Sequence, residues 1–126
     1  MPHILIIDDD AAIRDVLFEM MQLEEFDATV AENGLKALKL LEQSPFDCII
    51  TDIVMPEKEG LETILYVRKT YPDIPIIAIS GGARIKPESY LDIATRFGAR
   101  YVFSKPFERK KLIAAIKSCL EESTGG

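Results

Sequence analysis

Short apolar runs alternate along the chain with longer segments in which apolar residues return every three or four positions. The runs fall at 4–7, 28–31, 48–50, 74–79 and 101–103. Each is too short for a helix and most are rich in β-branched residues, so each predicts a buried strand. The segments between them carry helical stripes. Ile13, Val16, Leu17 and Met20 form the first, Leu35, Leu38 and Leu41 the second, and Leu61, Ile64 and Leu65 the third. Tyr90, Ile93, Ala94 and Phe97 form the fourth, and Leu112, Ile113, Ile116, Cys119 and Leu120 the last. The punctuation agrees. Asp10 is placed to cap the first helix and Asn33-Gly34 to open the second. Ser44-Pro45 closes the second, Tyr71-Pro72 closes the third, Pro87 suits the first turn of the fourth, and Gly98 marks where the fourth must stop.

Strict alternation of strand and helix predicts an α/β domain with a doubly wound parallel sheet, five strands and five helices in (βα)5 order. The first, third and fourth runs are the most apolar and belong in the middle of the sheet. The second carries Asp27 and Thr29 and the fifth is flanked by Arg100 and Ser104, which suits edges. The expected strand order is the flavodoxin-like 2-1-3-4-5. One domain over residues 1–122 is expected, followed by an unstructured tail at 123–126.

Composition narrows the function. The chain has 126 residues, enough for one domain with a substantial core, and its 48% hydrophobic and 29% charged content is that of a globular protein. Lys and Arg number 15 against 21 Asp and Glu, a net charge of −6, which disfavours wrapping nucleic acid or lying on an anionic membrane. No apolar run approaches a membrane span, and the first ten residues lack the basic start of a signal peptide. The two cysteines, Cys48 and Cys119, stand in unrelated surroundings. Neither a disulfide nor a metal framework is expected of them, and the cytoplasm is the expected compartment.

In sheets of this kind ligands gather beyond the carboxyl ends of the strands. Asp8, Asp9 and Asp10 follow the first strand, Thr51 and Asp52 the third, Ser80, Gly81 and Gly82 the fourth, and Ser104, Lys105 and Pro106 the fifth. Carboxylates gathered so closely repel one another unless a divalent cation lies between them or some of them protonate. Oxygen ligands with no His or Cys among them favour Mg²⁺, with Mn²⁺ as a substitute. A capping role accounts for Asp10 alone, but not for two carboxylates before the cap, another on the neighbouring strand and a lysine beyond. A flavin or nucleotide phosphate would be repelled by this aspartate run, and no glycine-rich phosphate loop follows a strand.

The run Ile-Leu-Ile-Ile-Asp-Asp-Asp at 4–10, Thr51-Asp52-Ile53-Val54-Met55-Pro56 with Gly60, Ile79-Ser80-Gly81 and Lys105-Pro106-Phe107 resemble the receiver domain of two-component response regulators, of the chemotaxis-regulator type. The resemblance covers residues 3–121. It implies that Asp52 is the phospho-acceptor, taking a phosphoryl group from a sensor histidine kinase or phosphotransfer protein. It implies that Asp8, Asp9, Asp52 and the backbone carbonyl of Val54 hold Mg²⁺. It assigns Lys105 to pairing with the phosphoryl group, Ser80 to the switch hydroxyl, and a cis bond to Lys105-Pro106. It further implies an effector protein or domain met by the fourth helix, fifth strand and fifth helix, and allows a phosphorylation-dependent dimer. On this reading the chain is not an enzyme in the usual sense, since it catalyses only its own phosphorylation and slow dephosphorylation.

One position departs from the family. Many receivers carry Tyr or Phe three residues before the lysine, where this chain has Val102. Tyr101 and Phe103 flank it and belong on the opposite face of the strand. Two other readings compete. Asp8-Asp9-Asp10 satisfies the Asp-x-Asp pattern of haloacid-dehalogenase-type phosphatases with Asp8 as nucleophile, although Ala12 stands where that family has Thr or Val. A scaffold that binds partners without phosphorylation is the other. His3 precedes the first strand and is no catalytic candidate, while Cys48 and the Met20-Met21 pair read as core.

Overall fold

The computed structural model describes residues 1–52, 59–80, 98–104 and 107–124. Five strands, β1 (His3–Ile7), β2 (Asp27–Ala31), β3 (Cys48–Asp52), β4 (Ile76–Ser80) and β5 (Tyr101–Ser104), form one sheet in the order β2-β1-β3-β4-β5. Every pairing is parallel. This is the expected order, with the most apolar strands in the centre. Four helices accompany it among the described residues: α1 (Ala11–Leu23), α2 (Gly34–Gln43), α3 (Glu59–Thr70) and α4 (Arg109–Thr124). The expected helical segment with Tyr90 and Phe97, and Pro87 before it, lies outside the described residues. The last helix runs to Thr124, past the boundary expected at 122.

The strands depart from the apolar runs at their ends: His3, Asp27, Thr51, Asp52, Ser80 and Ser104 are strand residues. β4 starts at Ile76, not at 74. The Ile74 N–H turns back to the Tyr71 carbonyl at 3.3 Å, and Pro75 has no N–H to give a ladder. The caps fall where the punctuation puts them. Asp10 accepts from the Ala12 amide and Asn33 from the Lys36 amide, each at 2.9 Å.

Alternation along the strands divides the core in two. Ile4, Ile6, Cys48, Ile50, Ile77 and Ile79 face α1 and α4, meeting Leu17, Met21, Leu112 and Ile116. Leu5, Ile7, Ile49, Ile76 and Ala78 face α2 and α3, meeting Ala37, Leu41, Ile64 and Val67. Three helical stripes are turned from the expectation. Val16, Leu35 and Leu65 are exposed, while Met21, Gly34, Ala37 and Val67 are buried. In α2 the cause is close packing on α3: a Cβ on Gly34 would overlap Thr63 Oγ1. A bare glycine lets the helices meet there, and Leu35, the next residue, is carried outward.

The two cysteines are not in unrelated surroundings. Both are buried in the α1–α4 half of the core and neither forms a disulfide. A hydrogen bond with Cys119 and burial together push the Cys48 thiol well above its ordinary range. At the opposite sheet edge Gly98 takes φ +93°, a conformation suited to glycine. Arg68 of α3 lies against it, donating to the Gly98 carbonyl at 2.7 Å and to the Pro72 carbonyl at 2.6 Å. Burial and the nearby Arg100 charge hold the Arg68 guanidinium below its ordinary range. No helix among the described residues is long and apolar enough to cross a membrane.

Candidate functional site

The sheet register carries the acidic residues to one edge. Ile7 of β1 pairs with Thr51 of β3, which sets Asp8 beside Asp52, the final residue of β3. Asp52 in turn pairs with Ile79, so Ser80 closes β4 one step further, opposite Ser104 of β5. Parallel strands all end on the same side. Their last residues therefore assemble there without any help from loop sequence.

Local hydrogen bonds fix the turn after β1. The Asp8 amide donates to the Ala31 carbonyl at 3.1 Å, extending the β1–β2 ladder by one residue. The Asp8 carboxylate accepts from the Asp10 amide at 2.9 Å. With Asp10 occupied as the α1 cap, the run splits into distinct tasks. Asp8 is buried, Asp9 is exposed, and Asp10 is committed to the helix. Thr51, also buried, donates from its hydroxyl to the Asp52 carbonyl at 3.3 Å.

Carboxylate oxygens of Asp8, Asp9 and Asp52 lie within 4.8 Å of one another. Asp8 is 1% exposed and Asp52 5% exposed, so water screens them poorly. Two such charges at about 4 Å repel by roughly 4 kcal/mol at an effective dielectric of 20. A divalent cation among the three relieves that repulsion. The three oxygens are close enough together for one ion to reach them all. The donor set is all oxygen, which suits a hard ion. The residues present therefore fit Mg²⁺.

The other expected residues are placed less fully. Ser80 ends β4 on the edge that holds the carboxylates. Val54, Lys105 and Pro106 lie outside the described residues. His3 is at the far end of β1, its amide donating to Asp47 and its ring hydrogen-bonded to Thr29 at 2.7 Å. It takes no part in the site, as expected.

Sequence reasoning missed Arg14. Its guanidinium donates to the Asp8 carbonyl at 2.7 Å. Its charge also reaches Glu32 beyond β2, whose carboxyl is held below its ordinary range chiefly by the hydrogen bond and charge of Lys36, with Arg14 contributing. The available signal was spacing: Arg14 stands one helical turn after the capping Asp10, where a long side chain can reach back over the strand end.

The profile of the response regulator receiver domain matches residues 4–117. The transcriptional regulatory protein CpxR of Escherichia coli K12 is 32% identical over 98% of this chain and 51% of its own length. A putative NtrX-like response regulator of Rickettsia typhi is 36% identical over 94% of this chain and 25% of its own. The chain thus spans about half or less of the curated relatives named here. Among solved structures, a CheY-like receiver domain protein from Methanospirillum hungatei superposes with a TM-score of 0.89 at 28% identity, covering 99% of this chain and 98% of its own. The response regulator TrrA of Thermotoga maritima, solved with Mg²⁺ and BeF, gives 0.82 at 32% identity, covering 95% of this chain and all of its own.

Proposed function

This chain belongs to the response regulator receiver domains of two-component systems, and on that premise we propose that Asp52 accepts a phosphoryl group and that the domain relays the signal by changing conformation. The observation that carries the proposal is the gathering of Asp8, Asp9 and Asp52 at one sheet edge, with ligand oxygens within 4.8 Å. The donor is a phosphohistidine of a sensor kinase or phosphotransfer protein. An Asp52 oxygen attacks phosphorus as the bond from phosphorus to the imidazole nitrogen breaks. The imidazole leaves with the electron pair, and Asp52 becomes an acyl phosphate.

Each residue has a task. Asp52 is buried at the end of a central strand, so its attacking oxygen has a fixed position and few waters to shed. Asp8, Asp9, Asp52 and the Val54 carbonyl would hold Mg²⁺. The ion supplies charge that offsets the anionic donor and the developing phosphoryl oxygens. Lys105 pairs with a phosphoryl oxygen, and Ser80 donates to another and draws its loop inward. The domain acts in the cytoplasm and meets an effector through the segment of Tyr90 to Phe97, β5 and α4. It turns over no external substrate beyond its own slow dephosphorylation.

An intact-mass measurement after treatment with acetyl phosphate and Mg²⁺ tests this. The expected result is one added phosphoryl group, lost in Asp52→Asn. Label on Asp8 instead would point to haloacid-dehalogenase-type chemistry. No label and no Mg²⁺ binding would point to a scaffold.

A further inference from the structure

We propose that Arg14 is a positioning residue for the cation site: it holds the Asp8 backbone so that the Asp8 carboxylate stays aimed at the position between Asp9 and Asp52. The inference rests on the Mg²⁺ reading of that cluster. Its basis is the 2.7 Å hydrogen bond from Arg14 Nη1 to the Asp8 carbonyl oxygen. Asp8 lies just past the end of β1, and its amide and carboxylate are held by the Ala31 carbonyl and the Asp10 amide. The guanidinium fixes the carbonyl of that same residue, so the peptide that carries the ligand is gripped on both sides. The bond is part-buried, so its loss leaves the Asp8 carbonyl without its fixed donor and only partly open to water.

Charge makes the arrangement informative. A guanidinium beside a cation site opposes the cation by Coulomb's law. If Arg14 acted through charge alone, removing it would tighten Mg²⁺ binding. A positioning role has the opposite sign, because groups that orient a metal ligand without touching the ion typically govern affinity by about 10- to 100-fold. The two roles therefore separate in one titration.

The experiment is calorimetric titration of Mg²⁺ into wild type, Arg14→Met and Arg14→Lys, with urea unfolding of each in chelator. Arg14→Met keeps the bulk of the stem and loses the donor. It is expected to weaken Mg²⁺ about tenfold or more, while Arg14→Lys, which keeps a long cationic donor, recovers most of the loss. Should Arg14→Met unfold too readily to titrate, Arg14→Gln, whose amide is too short to reach, takes its place with the same expected loss. Affinity unchanged or tightened in Arg14→Met, or no recovery by lysine, overturns the proposal. Failure of the wild type itself to bind Mg²⁺ overturns the reading of the carboxylate cluster, and the Arg14 role with it.

Discussion

Val102 pairs with Ala78 across β4 and β5, and both side chains join the half of the core that faces α2 and α3. Its neighbours Tyr101 and Phe103 pack into the other half, and the Tyr101 hydroxyl meets Ser118 of α4 at 3.1 Å. The position where many receivers carry an inward-turning ring is thus aliphatic here, and neither adjacent ring can substitute without inverting the strand. Tyr101→Ala is expected to leave phosphorylation-dependent resonance shifts in residues 81–97 nearly intact, whereas Ser80→Ala weakens them. Loss of those shifts in a folded Tyr101→Ala would refute this account of β5.

Asp9 is the exposed member of the carboxylate cluster, so its replacement disturbs the core least. Asp9→Ala is expected to weaken Mg²⁺ by about tenfold or more, and in chelator to raise the urea midpoint, because one of three mutually repelling carboxylates is gone. Chelation alone should stop labelling by acetyl phosphate. Undiminished phosphorylation of Asp9→Ala in chelator would remove the cation from the mechanism.

Gly34→Ala tests the contact between α2 and α3. The new methyl group collides with Thr63 Oγ1, and overpacking of this kind costs about 1–3 kcal/mol. Adding Thr63→Ala should return part of that loss, since the remaining Thr63 Cβ stands 3.3 Å from the methyl position. Urea denaturation of the two single variants and the double variant gives the coupling directly. Additive effects would mean that the helices do not meet as described.

Cys48 and Cys119 should resist alkylation in the native protein and react together on unfolding, because thiolate is the reactive form and the Cys48 thiol is held protonated by its neighbour and by burial. The same shift sets a pH dependence. Below about pH 8.5, the ordinary thiol value, folded and unfolded chains both keep the proton. Above it the unfolded chain releases its proton first, so stability falls with rising pH until the folded-state value is passed. Cys48→Ala should flatten that decline. Rapid native labelling of Cys48 would contradict the packing.

The sequence was most readable where one physical rule acts alone. Runs such as Ile76 to Ile79 can be buried on both faces only in a central strand, and parallel strands bring their last residues to one edge, which is enough to bring Asp8 and Asp52 together. Helix faces were less readable, because a stripe through Leu35 and one through Gly34 and Ala37 fit helical spacing equally well. The choice is made by Thr63 on another helix. Arg14 left no trace in hydropathy, since its contact is a long side chain on a main-chain carbonyl. The cysteine pair depends on how α4 lies over β3, which neither segment encodes alone.

Arg68 gives β5 a fixed end. It grips the Gly98 carbonyl just before the strand, and the Arg100 amide donates to the Ile76 carbonyl at 2.8 Å. Both ties lie at the end of the sheet remote from the carboxylates. An edge strand tied there as well as laddered to β4 cannot slide along it, because sliding would break both ties and invert its side chains. A signal that entered at Ser104 would therefore pass along β5 without a change of register, so the faces presented by Tyr101, Val102 and Phe103 stay assigned.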